Sequence, residues 1–165
     1  MDDNKLLKLV YTFFLGLLIA IFVGVGINTF YEGPKMPEYP TEAITYSKEP
    51  TSDQEALRQQ AYDTQYKQYN DAVKPYNRNV SILTLVAAVI LLAVSLISEK
   101  RVKILADGVM LGGLFTLLYS IGRSFASEDS KYVFVTVSVG LVVVLYLGYH
   151  RFVRVHNTVS QIKKK

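Results

Sequence analysis

The sequence predicts an all-α membrane protein with four transmembrane helices and one extracytoplasmic helix in the loop between spans 1 and 2. Three observations predict it. Half of the 165 residues are hydrophobic and the mean hydropathy is +0.22. Charge is confined to short stretches between long apolar runs, and those runs lack the alternating polar face of a soluble helix. The basic residues collect in flanks that all fall on one side of a four-span thread.

A hydrocarbon core of about 30 Å needs roughly 20 helical residues at about 1.5 Å each. Four windows meet that length: Leu9 to Tyr31, Val80 to Ser98, Ile104 to Gly122 and Tyr132 to Tyr149. Asp107, in the third, is the one acidic or basic residue in any of them. Spanning backbone must satisfy its hydrogen bonds internally, which selects helix. The valine-rich fourth window is too long for an ordinary strand of about 3 to 10 residues. The first window, preceded by Lys5 and Lys8, is too long for a signal-peptide core and no small-x-small cleavage site follows it, so it reads as an uncleaved anchor.

Orientation follows from the flanks, because short positively charged loops are retained in the cytoplasm. Lys5 and Lys8 lie in the N-terminal segment 1–8, Lys100, Arg101 and Lys103 join spans 2 and 3, and Arg151, Arg154, Lys163, Lys164 and Lys165 occupy the tail 150–165. The opposite side receives Arg123 and Lys131, offset by Glu128 and Asp129, and the loop 32–78 with six basic and eight acidic residues. Both termini are therefore expected in the cytoplasm. Tyr11, Tyr31, Tyr119, Tyr132 and Tyr149 fall near the expected interfaces, where amphipathic rings settle.

The loop opens with Glu32-Gly33-Pro34, a helix-stopping turn, and Pro37 and Pro40 continue it as an extended spacer over 33–50. Ser52 followed by Glu55 forms a capping box, so a helix is expected over 53–74. Pro75 should end or kink it before the second span. One face carries Tyr62, Tyr66, Tyr69, Val73 and Tyr76 at alternating spacings of four and three, a heptad a/d stripe. That stripe either packs on its own loop, Ile44 and Tyr46 included, or meets another subunit or protein.

Within the spans, Asp107 is the possible intramembrane charge. It lies four residues after Lys103, which makes a structural ion pair or a solvated carboxylate the expectation, with an ion or proton pathway as the alternative. Gly108 and Gly112 form a small-xxx-small pair with Gly113 alongside, suited to close helix packing within the chain.

No catalytic, cofactor or metal constellation is present in the sequence. Zero cysteines exclude disulfides and thiol chemistry, and His150 and His156 stand in a basic tail without nearby carboxylates. The net charge of +4 is explained by membrane flanks, with anionic headgroups as partner of the basic tail and no nucleic acid implied. The architecture suggests a non-enzymatic membrane scaffold or accessory subunit of a prokaryotic plasma membrane, associating through the tyrosine stripe with another membrane protein or with itself as a homo-oligomer. A small oligomeric channel or carrier with span 3 near the pathway is the alternative.

Overall fold

The computed structural model describes residues 3–38 and 52–162, with side chains for 4–38 and 55–151. The chain there is helical throughout its ordered elements: α1 (Asp3–Phe30), α2 (Ser52–Ser98), α3 (Lys103–Phe125) and α4 (Ser130–Ile162). Each is long and apolar enough to cross a membrane. Residues 32–38 have no regular structure, and the rest of the expected spacer, with Ile44 and Tyr46, lies outside the described residues.

Burial is arranged for a lipid solvent. Large apolar side chains face outward, Phe22 at 79% exposure and Phe134 at 74%, while the fully buried positions are mostly Ser, Thr and small residues. Water would reverse that pattern. Among lipid tails, helices gain more from close approach and interhelical hydrogen bonds than from burying leucines.

The main seam is an antiparallel contact of α2 with α3. On α2, Asn77, Val80, Ser81, Thr84, Ala88, Leu92 and Ser95 recur at three and four residues along one buried face. Ser81 and Ser120 each donate to the other's carbonyl at 2.8 Å, and one end of the seam is closed by Ser95 donating to the Ala106 carbonyl at 2.7 Å. Thr84 and Thr116 return their hydroxyls to their own helices, so these buried polar groups are satisfied.

Glycines set the second seam, where α1 runs parallel to α3. A Cβ on Gly112 would stand 2.9 Å from Ile19, and one on Gly16 would stand 3.1 Å from the Gly112 nitrogen. Gly108 accepts Leu15 in the same way, whereas Gly113 faces Leu92 of α2. The glycines thus serve two different neighbours of α3. On the third side, α4 runs antiparallel to α3 and brings Gly140 against Leu117 and Ile121. Among the described residues α1 and α4 do not touch, so α3 is the hub of an open arrangement.

The helix ends have local causes. α1 stops at the Glu32-Gly33-Pro34 turn. Asp129 caps α4, its Oδ1 accepting from the backbone N–H of Lys131 at 3.1 Å and of Tyr132 at 3.2 Å.

Of the two outcomes expected at Pro75, an end or a kink, the helix end does not occur. Instead of a separate helix over 53–74, α2 runs unbroken for 47 residues with Pro75 inside it. A helix-interior proline costs about 3 kcal/mol. Here the turns on either side are clamped: Lys74 pairs with Glu128 at 2.7 Å, Tyr76 stacks on Tyr31, and Asn77 donates to the Ala126 carbonyl at 3.0 Å. Pro75 and Asp71, whose carbonyl loses its donor, are both exposed. Tertiary contacts override the local rule.

Candidate interaction site

Contacts around residues 74–79 show where the other helices stop relative to α2. Tyr31 follows α1, Ala126 follows α3 and Tyr132 opens α4, and all three reach α2 at Tyr76, Asn77 and Arg78. Residues 52–73 of α2 therefore continue past that level, by roughly 33 Å at 1.5 Å per residue.

Along this extension the heptad spacing brings three tyrosines into one ladder. Ring centroids of Tyr62 and Tyr66 are 6.0 Å apart and those of Tyr66 and Tyr69 are 6.3 Å apart. Tyr66 is exposed, and Leu57, five residues beyond Tyr62 on the side away from the bundle, is exposed at 66%. Val73 is half-buried.

Tyr76 departs from the rest of the stripe. Its ring lies on Tyr31 with centroids 5.3 Å apart, and its hydroxyl donates to the Tyr31 carbonyl at 3.2 Å. The guanidinium of Arg123 stands 5.6 Å from the Tyr76 ring and 5.7 Å from that of Tyr119. It also donates to Asn77 Oδ1 at 2.7 Å and to the Tyr119 hydroxyl at 3.1 Å. Asn79 donates to the Tyr31 hydroxyl at 2.9 Å. These six residues form a collar that fixes the base of the extension.

No protein-family model, curated protein or solved structure matches this chain.

At the opposite end of the bundle, Asp107 is paired, but not with Lys103. Its carboxylate receives Arg151 of α4, and the same guanidinium lies 4.0 Å from Glu99 at the end of α2. The reason is directional. A lysine at i−4 reaches along its own helix surface, whereas α4 lies antiparallel on α3 and delivers a forked, permanently charged group onto the carboxylate. Arg151 is 16% exposed and Asp107 30%. The cluster ties three helices together.

The sequence alone counts Arg123 and Arg151 only as flanking charge and gives no contact role to Asn77 or Asn79, the latter only the start of a chance glycosylation sequon, Asn79-Val80-Ser81. An arginine within a turn of a span end, with polar residues on a facing span, is the available signal. Spacing cannot supply the pairing, because the partners lie 46 and 44 positions apart. Among the described residues, no group of three or more His, Cys, Asp or Glu is arranged to hold a metal ion. The side chains of the tail beyond Arg151, His156 and the terminal lysines included, lie outside the described residues.

Proposed function

We propose that this chain is a non-enzymatic integral membrane scaffold or accessory subunit of a prokaryotic plasma membrane. In this reading four spans insert it with both termini in the cytoplasm, and its tyrosine-lined extension of α2 projects on the far side. There it docks another membrane protein or a second copy of itself, while the basic tail rests on anionic headgroups.

One observation carries the reading: a helix that outruns the bundle by about six turns presents Tyr62, Tyr66 and Tyr69 as a single aromatic ladder. Tyrosine suits such a surface, since it offers a large rigid contact area with a polar tip and loses little entropy on docking. Tyr76 belongs to the base that aims the ladder and not to the docking face. The channel alternative has less support, because Asp107 is neutralised by Arg151.

The test is association in mild detergent. Tyr62→Ser/Tyr66→Ser/Tyr69→Ser is expected to lose the oligomeric or complexed mass of the wild type while eluting as a folded membrane protein. Retention of that mass and of every co-purifying partner by the triple variant sinks the reading.

A further inference from the structure

Where α1 and α3 begin, side by side and parallel, they border an open cavity of about 640 Å³. Lys5, Lys8 and Thr12 line it from α1, and Lys103, Ile104 and Asp107 line it from α3. We infer that this cavity binds the phosphate-bearing headgroup of an anionic phospholipid, with Lys8 and Lys103 as its cationic ligands.

Geometry creates the space. Gly16, Gly108 and Gly112 draw the two helices together one to two turns further in, so the backbones are closest there and long side chains fill the mouth below. Lys8 and Thr12 are one turn apart and share a face of α1, and Lys103 opens α3 across from them.

Charge then selects the occupant. Lys8 and Lys103 line a cavity that holds one carboxylate, and Arg151 already engages that carboxylate from the α4 side. The surplus is positive, and α3 directs its N-terminal, partially positive end towards it. Val102, at the cap of α3, supplies no side-chain acceptor to the first turn. Next to the mouth, Leu6 and Leu9 are exposed at 48% and 62% along α1, an apolar track for an acyl chain that a soluble anion would not require. Basic pockets between membrane helices recognise acidic headgroups by this combination.

The inference rests on the four-span membrane reading and is independent of the tyrosine ladder. A chain that stays in solution without detergent sinks the membrane reading. A detergent-requiring chain with no headgroup preference sinks the lipid site alone. The experiment is native mass spectrometry of the full chain after incubation with equal amounts of phosphatidylglycerol and phosphatidylcholine. The wild type is expected to retain phosphatidylglycerol preferentially. Lys8→Gln/Lys103→Gln should reduce that preference by roughly tenfold or more. Thr12→Phe, which narrows the cavity and keeps every charge, should also weaken it, whereas neutralising Lys163, Lys164 and Lys165 should leave it intact. Equal retention of the two lipids by the wild type overturns the proposal, as does an undiminished preference in the Thr12→Phe protein. Displacement of the lipid by an equal concentration of inorganic phosphate would assign the cavity to a soluble anion instead and equally overturn it.

Discussion

Tyr76 lies face to face with Tyr31, their ring planes 3° from parallel, and the Tyr76 hydroxyl turns back to the carbonyl of the residue it stacks on. The pair joins the end of α1 to the middle of α2, next to the proline that α2 tolerates. Tyr76→Phe keeps the stacking and removes one hydrogen bond, at about 1 kcal/mol. Tyr76→Ala also removes the ring from Arg123 and Tyr31 and should lose about 2 kcal/mol or more. Thermal unfolding in detergent, followed by circular dichroism, should rank wild type above Phe above Ala. An Ala variant as stable as the Phe variant would show that the stacking contributes nothing.

The Asp107–Arg151–Glu99 cluster predicts an asymmetry between its members. Removing Asp107 as Asn leaves Arg151 beside Glu99, a partly compensated charge. Removing Arg151 as Gln takes the shared counter-charge from both carboxylates, which are 30% and 28% exposed, so the loss should fall below that of a fully buried pair, about 3 to 5 kcal/mol. Arg151→Gln should therefore be the more damaging, and Asp107→Asn/Arg151→Gln should recover part of the loss in a double-mutant cycle. Equal destabilisation by the two single variants would contradict the three-way arrangement. Asp107→Asn in liposomes should leave ion and solute flux at background.

Gly108 and Gly112 differ in what surrounds them. The closest atom to a Cβ on Gly108 is the tip of Leu15 at 2.5 Å, which can rotate away. A Cβ on Gly112 would meet the Cβ of Ile19 at 2.9 Å and the Gly16 carbonyl at 3.2 Å, neither of which can move without its backbone. Gly112→Ala should be the costlier substitution, by about 1 to 3 kcal/mol over wild type, as overpacking in a tight seam usually is. Melting temperatures of the two alanine variants decide it.

Glu128 occupies the left-handed region at φ 56 while bonding Lys74 across to α2. A non-glycine residue there carries a strain of about 1 kcal/mol. Glu128→Gly relieves that strain and gives up an exposed ion pair, so stability should change little, whereas Glu128→Val gives up the pair and worsens the strain. The hydrogen bond and charge of Glu128 raise the Lys74 ammonium above its ordinary value of 10.5. A group whose folded value is raised stabilises below the unfolded value and loses that effect as pH climbs through the folded one. The contribution of the pair should accordingly persist through neutral pH and fade only above about 10.5. Unfolding midpoints of wild type and Lys74→Gln, compared across alkaline pH, should converge there.

Four long apolar helices were legible in the sequence because membrane length and composition act on each segment alone. What escaped the sequence was pairwise and distant. Pro75 carries a strong local preference to end a helix, and only the Lys74, Tyr76 and Asn77 contacts explain why α2 continues. Asp107 has a tempting basic neighbour at Lys103, yet its partner comes from another helix. The small-residue spacing around Gly108 drew attention to these positions without indicating that two of them face α1 and one faces α2. Tyr76 looked equivalent to the other stripe tyrosines because periodicity assigns a face and does not tell that Tyr31 and Arg123 meet it at Tyr76.

A rod gripped at its foot keeps both a height and a compass bearing. The six-residue collar grips α2 at residues 76 to 79, so the rungs at Tyr62, Tyr66 and Tyr69 stand at fixed distances above it and look in one direction. Inserting seven residues between foot and rungs would raise them by about 10 Å with their bearing nearly kept, while inserting five would swing them through about 140°. A partner docking on the ladder, as proposed, would have to match that bearing, so helical phase would matter to it more than reach.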